Sequence, residues 1–133
     1  MMWLLDTNVW VCYLNPGETP VKAHMRQHAA NNLWLCDVVK AELYFGAYKS
    51  SRQQQNLQLL SNLFQQFQSL AFDGHAAQTF GQLRAHLHRQ GQPIGPYDLQ
   101  IAAIALANDL TLVTHNRREF GRIDGLRLTD WEI

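Results

Sequence analysis

The chain has 133 residues, and its 11 Lys and Arg balance its 11 Asp and Glu, so the formal net charge is zero. One domain is the natural count at this length, and 47% hydrophobic residues exclude intrinsic disorder and supply a core. No apolar run approaches the ~20 residues that span a bilayer, and Met1–Leu5 meets Asp6 with no basic stretch before it, which reads against a signal peptide and for a protein outside the membrane. Neutrality also removes the broad basic surface that marks many nucleic-acid binders. The two cysteines, Cys12 and Cys36, lie in apolar surroundings. They read as two buried thiols in a reducing cytoplasm, not as a disulfide framework or a zinc motif.

In chain order, Trp3-Leu4-Leu5 reads as a short buried strand ending at Asp6. Thr7 and Asn8 cap a short helix, Val9 to Leu14, which stops at Asn15-Pro16-Gly17. Thr19-Pro20 opens a second helix to Asn31, cap first and proline next. Leu33–Cys36 is the next strand, and Asp37 caps a helix to about Lys49. Ser51 opens a long amphipathic helix in which Leu57, Leu60, Phe64 and Phe67 step by three and four, flanked by Leu63 and Leu70, with glutamines on the opposite face. Ala71-Phe72 is a brief strand, and Gly74 to Gln90 a further helix. After the turn at 91–96, Pro96 starts a helix to Asn108. Leu110–Val113 is a strand ending at Thr114, Arg117-Arg118 lie in a loop, and a last strand lies near 126–128. Short strands separated by helices predict one α/β domain, a short central parallel sheet flanked by helices.

In open α/β sheets, ligands bind beyond the carboxyl ends of the strands. Asp6 directly follows the first strand, Glu42 lies on the second turn of the helix after the second strand, and Asp98 lies in the first turn after Pro96. Each has an ordinary alternative. Asp6 can cap a helix, Glu42 can be a surface residue, and Asp98 can favour a helix dipole. Their joint placement carries the information. Carboxylates gathered at one sheet edge repel, and one or more would protonate unless a cation intervenes. Mg²⁺ or Mn²⁺ prefers oxygen ligands and keeps waters for a phosphate substrate, which points to phosphodiester hydrolysis.

Four blocks carry a resemblance. Leu4-Leu5-Asp6-Thr7-Asn8-Val9, Val38–Gly46 around Glu42, Gly91–Ala102 around Asp98, and Leu112–Phe120 stand in order across nearly the whole chain. They resemble the signature blocks of PIN-domain nucleases and, more narrowly, of VapC toxins. The resemblance implies a PIN-like domain over 1–133 and a Mg²⁺- or Mn²⁺-dependent endoribonuclease. It also implies an inhibiting VapB-type antitoxin, a homodimer, and an RNA substrate, with tRNA known for the relatives nearest in pattern. It makes Asp6, Glu42 and Asp98 the catalytic metal ligands, with Thr7, Asn8 and Thr114 orienting them. One position departs from the pattern, because Asn116 stands where many relatives carry a fourth acid. Its carbonyl can still bind a metal or its water, and Glu119 either reaches in or is a solvated loop acid.

Arg84 and Arg89 on the fifth helix, with His86 and His88, and Arg117 and Arg118 after the last acid block are candidate RNA phosphate contacts. An ordinary solvated surface is the alternative for each cluster, and for His115 beside the motif. Trp10, Tyr13, Tyr44, Phe45 and Tyr48 read mostly as core, with a minority free to form an apolar groove for an antitoxin helix. Competing readings stay open: a housekeeping RNA-processing nuclease without an antitoxin, and a non-catalytic PIN-like RNA or protein binder. A receiver-like signalling module fits poorly, since it wants paired acids after the first strand and a late Lys, and the chain has no Lys beyond Lys49. Under the nuclease reading, neutrality is an average over separated regions, acids at a metal site and arginines around its approach.

Overall fold

The computed structural model describes residues 1–133 and contains seven α-helices and five strands. The strands are β1 (Trp3–Leu5), β2 (Leu33–Cys36), β3 (Gln68–Leu70), β4 (Thr111–Val113) and β5 (Leu128–Thr129). They form one sheet in the order β3-β2-β1-β4-β5, and every pairing is parallel. Parallel sheets are buried on both faces, and the central strands obey this. Leu4, Leu5, Leu35, Leu112 and Val113 are fully buried. The chain moves from β1 outward to β2 and β3, then crosses to β4 on the other side. The strand order therefore reverses between β1 and β4, and such a switch point opens a crevice at the carboxyl edge.

The helices are α1 (Thr7–Leu14), α2 (Pro20–Met25), α3 (Asp37–Lys49), α4 (Gln53–Gln66), α5 (Gly74–Arg89), α6 (Pro96–Ala107) and α7 (Arg117–Phe120). Several boundaries differ from expectation for local reasons. Helix α1 begins at Thr7 and is capped by Asp6, whose Oδ1 accepts from the Thr7 N–H at 2.8 Å, so Thr7 and Asn8 are not the cap. The α2 cap is as expected, with Thr19 Oγ1 accepting from Lys22 N at 3.2 Å and Pro20 next. The helix ends at Met25, however, because only Val21 and Met25 of this stretch are buried and the polar run after them has no apolar face to dock. A 3-10 turn at Ala30–Asn32 leads into β2. Asp37 is the first residue of α3 and Cys36 its cap position.

The three-four apolar step of α4 carries through Phe67 in the sequence, but the backbone turns extended there (φ −125°, ψ 144°). Residues 68–70 pair with β2, so Leu70 lies in a strand and Ala71-Phe72 do not. Phe67 faces inward, its ring 4.8 Å from that of Trp10 and 6.0 Å from that of Tyr13. Edge pairing and aromatic packing outweigh the helical period here. Helix α5 is capped by Asp73, which accepts from Ala76 N at 2.9 Å. Helix α6 is buried along Leu99 and Ile101–Ala105, which explains its near-continuous apolar sequence. Arg117 and Arg118 lie on the short helix α7, not in a loop, and β5 starts two residues later than expected. Of the cysteines, Cys36 is buried but Cys12 is only half-buried.

Helix α7 closes at Gly121, whose N–H donates to the Arg117 carbonyl at 2.9 Å. A Cβ at residue 121 would stand 2.6 Å from that same carbonyl oxygen, so backbone must move to admit it. Gly121→Ala is therefore expected to destabilise the fold by roughly 1–3 kcal/mol, read as a lowered midpoint of urea unfolding followed by circular dichroism.

Candidate active site

Asp6 is 8% exposed at the end of the central strand. Its backbone N–H donates to the Val113 carbonyl at 2.9 Å, continuing the β1–β4 pairing by one residue. Its Oδ2 accepts from the Thr114 hydroxyl at 2.8 Å, and Thr114 is fully buried one residue beyond β4. The two strands that flank the switch point are thus joined by a side-chain bond where they end. Burial pushes the Asp6 carboxyl above its ordinary value, while the bonds from Thr114 and Thr7 pull it back.

Glu42 is half-buried on the second turn of α3, and its Oε1 accepts from the Thr7 hydroxyl at 2.9 Å. That bond ties α3 to the first residue of α1. Asp98 is half-buried in the first turn of α6. Burial, then the negative charges of Asp6, Glu119 and Glu42 around it, push its pKa up to about 7, and a hydrogen bond to Glu119 favours its protonated form. Asp6, Glu42, Asp98 and Glu119 therefore share one electrostatic locus, although they come from four different elements. None of them forms an ion pair with a basic side chain.

The fourth carboxylate comes from Glu119. Asn116 caps α7, its Oδ1 accepting from Glu119 N and its Nδ2 donating to Glu119 Oε2, both at 3.4 Å. Asn116 N in turn donates to Thr114 Oγ1 at 3.0 Å. One chain of bonds thus runs from Asp6 through Thr114 to Asn116 and Glu119. Glu119 is half-buried in α7 and is not a solvated loop acid.

Other expected residues fall elsewhere. Asn8 is exposed and makes no side-chain hydrogen bond, so it orients none of the acids. It lines two openings of the site, one of 810 Å³ shared with Thr7, Glu42, Phe45, Lys49 and Tyr97, and one of 480 Å³ shared with Asp6, Cys12, His115 and Asn116. Arg117 and Arg118 are exposed on α7, next to the locus. Arg84 and Arg89 are exposed on α5, with Arg89 in the last turn before the connection to α6 and Asp98. Trp10 is core and Tyr13 half-buried, as expected. Tyr44, Phe45 and Tyr48 are not core, being 40%, 65% and 58% exposed on α3. A third opening, of 260 Å³, lined by Val11, Leu14, Leu43, Ala47, Leu59 and Leu60, continues this apolar surface past Glu42.

A further pair has no counterpart among the expected residues. His115 Nδ1 lies 2.8 Å from Oδ2 of Asp130, a buried acid beside β5. The parallel register of β4 and β5 pairs Val113 with Thr129, which sets residue 130 beside residues 114 and 115. Only that register, a non-local fact, would have revealed the pair.

A parallel sheet with acids at its central switch point is the plan of a PIN domain, and the PIN-domain family matches residues 3–126. The chain is 35% identical over 131 residues to the tRNA(fMet)-specific endonuclease VapC of Shigella flexneri, covering 98% of each. It superposes with a TM-score of 0.92 and 34% identity on a chain of DNA-bound VapBC from Salmonella typhimurium, covering 98% of each. The corresponding values for VapBC2 from Rickettsia felis bound to a DNA fragment from their promoter are 0.91 and 34%, over 98% of this chain and 99% of that one. The chain belongs to the PIN-domain family, and within it to the VapC proteins.

The raised Asp98 and Asp6 values fix the sign of a pH effect. A carboxyl that binds its proton more tightly folded than unfolded stabilises the fold at low pH, and that contribution fades as pH rises through the folded value. In metal-free buffer, stability is expected to fall as pH rises from about 4 toward about 7, the span between the ordinary and raised values of Asp98. Asp98→Asn should flatten that slope and raise the melting temperature at pH 8, measured by calorimetry.

Proposed function

We propose that this chain is a VapC-type endoribonuclease, dependent on Mg²⁺ or Mn²⁺, that hydrolyses RNA and is held in check by a cognate VapB-type antitoxin. The observation that carries the reading is the convergence of Asp6, Glu42, Asp98 and Glu119 with no basic partner among them. The all-oxygen donor set and the elevated Asp98 fit a hard dication, because bringing positive charge there relieves the repulsion that keeps Asp98 protonated. Asp6, Glu42, Asp98 and Glu119 would hold it. When bound, such an ion supplies charge for the scissile phosphate and makes a water acidic enough to attack phosphorus.

The chain's own groups do the positioning. Thr114 keeps one Asp6 oxygen directed and Thr7 does the same for Glu42, leaving the second oxygen of Glu42 free. Asn116 holds Glu119 at the fourth position without adding a charge. Arg117 and Arg118, with Arg84 and Arg89 farther out, would neutralise phosphates on either side of the cut. The first substrate candidate is tRNA, by similarity to the tRNA(fMet)-specific relative. The exposed apolar surface of α3 and the opening between Val11, Leu43 and Leu59 suit an amphipathic antitoxin helix. Relatives solved as VapBC support that pairing; a toxin homodimer and a cytoplasmic location belong to the same reading.

Purified protein is expected to cut tRNA(fMet) internally with Mg²⁺ or Mn²⁺ and to stop when EDTA is added. Thr114→Val, which leaves Asp6 intact but undirected, should slow cleavage roughly 10–100-fold. Asp98→Asn should slow it more than that. Undiminished cleavage by Asp98→Asn, resolved by gel and by mapping of RNA ends, would contradict the proposal.

A further inference from the structure

We propose that Cys12, His115, Asp130 and Glu132 form a second metal site, for a borderline divalent transition ion of the Zn²⁺ class, separate from the four-acid locus. The inference stands on its own donor set and does not rest on the nuclease reading. One ligand atom each of His115, Asp130 and Glu132 lies within 4.8 Å of the others. His115 Nδ1 and Asp130 Oδ2 are 2.8 Å apart, and Cys12 Sγ lies 3.8 Å from Glu132 Oε1. Ligands around Zn²⁺ at about 2.0–2.3 Å sit roughly 3–4 Å from one another, so modest rotation brings His115, Asp130 and Glu132 onto one ion, while Cys12, placed against Glu132 alone, swings further to supply the fourth ligand.

One further observation points to a cation. Glu132 Oε2 is buried and has no hydrogen-bond partner. A buried oxygen without a partner in a native fold calls for one. Asp130, whose side chain is 4% exposed, accepts from the Glu132 N–H at 2.9 Å through one oxygen and turns the other to His115. Two carboxylates thus face one imidazole, with a thiol alongside.

The donor types choose the ion. One nitrogen, two carboxylates and a sulfur disfavour Mg²⁺, which wants oxygen ligands and ideal octahedral geometry, and suit tetrahedral Zn²⁺. Ligation would release the Cys12 thiol proton to solvent. The bound ion would tie three separate segments together: α1 through Cys12, the turn after β4 through His115, and the C-terminal segment through Asp130 and Glu132. It would also sit at the 480 Å³ opening that Asp6 and Asn116 line, bracing the turn that holds Thr114.

Co²⁺ is the probe, added under reducing conditions to the full chain carrying Glu42→Gln and Asp98→Asn, which disables the four-acid locus. One equivalent should bind with the intense visible absorption of tetrahedral Co²⁺ and a near-ultraviolet sulfur-to-cobalt band, and Zn²⁺ should displace it. His115→Ala, at an exposed side chain, and Glu132→Gln should each weaken binding at least about 10-fold. Cys12→Ser should remove the near-ultraviolet band. Absence of a tetrahedral spectrum in the doubly substituted chain, or a spectrum unchanged by both His115→Ala and Glu132→Gln, would overturn the site.

Discussion

The repulsion among four carboxylates at the carboxyl edge of the central strand is the constraint on which the rest of this molecule turns. Asp6, Glu42, Asp98 and Glu119 come from the end of β1 and from α3, α6 and α7, and no basic side chain compensates them. Their charges and burial raise Asp98 to about 7, so the apo fold holds them together against their own electrostatics. What holds them is neutral. Threonine hydroxyls fix Asp6 and Glu42, an asparagine amide fixes Glu119, and a buried parallel sheet fixes the strands that deliver them. A site of this kind trades stability for a place where a dication is favoured.

Much of this was legible along the chain because the decisive signals are local. Leu4-Leu5-Asp6 and Leu112-Val113-Thr114 are apolar runs that end on a polar residue, which marks both a buried strand and its carboxyl edge. Thr19-Pro20 and Pro96 announce helix starts through their capping chemistry. Asp6, Glu42 and Asp98 could be nominated from their places on these elements. The errors have separate physical causes. Residues 68–70 continue a helical apolar period but are claimed by the edge of β2. Glu119 stayed ambiguous because a single-turn helix carries no period to read. Tyr44, Phe45 and Tyr48 look like core by composition, yet they face outward on α3.

The C-terminal segment shows how far non-local packing can reach. Trp131 stacks on the rings of His24 and His28 at 5.5 and 5.2 Å and lies 5.8 Å from Trp3. On either side of it, Asp130 meets His115 and Glu132 meets Cys12. Three consecutive residues therefore bind α2, the turn beside Thr114, and α1. The loop that carries Thr114 and Asn116 is held from both ends, by the acid site on one side and by this segment on the other. Neutral net charge fits the same picture, with acids concentrated at one edge and exposed arginines beside them on α7.

The central claim is that burial and the neighbouring carboxylates together raise Asp98 to about 7, and that a dication offsets the repulsion from those neighbours. Carboxyl-selective ¹³C NMR of Asp98, titrated in pH without metal and again with saturating Mg²⁺, tests it directly. The account predicts a midpoint near 7 without metal and a fall toward the ordinary carboxylate range with Mg²⁺. An ordinary midpoint without metal, or a raised one that Mg²⁺ leaves unmoved, would contradict it.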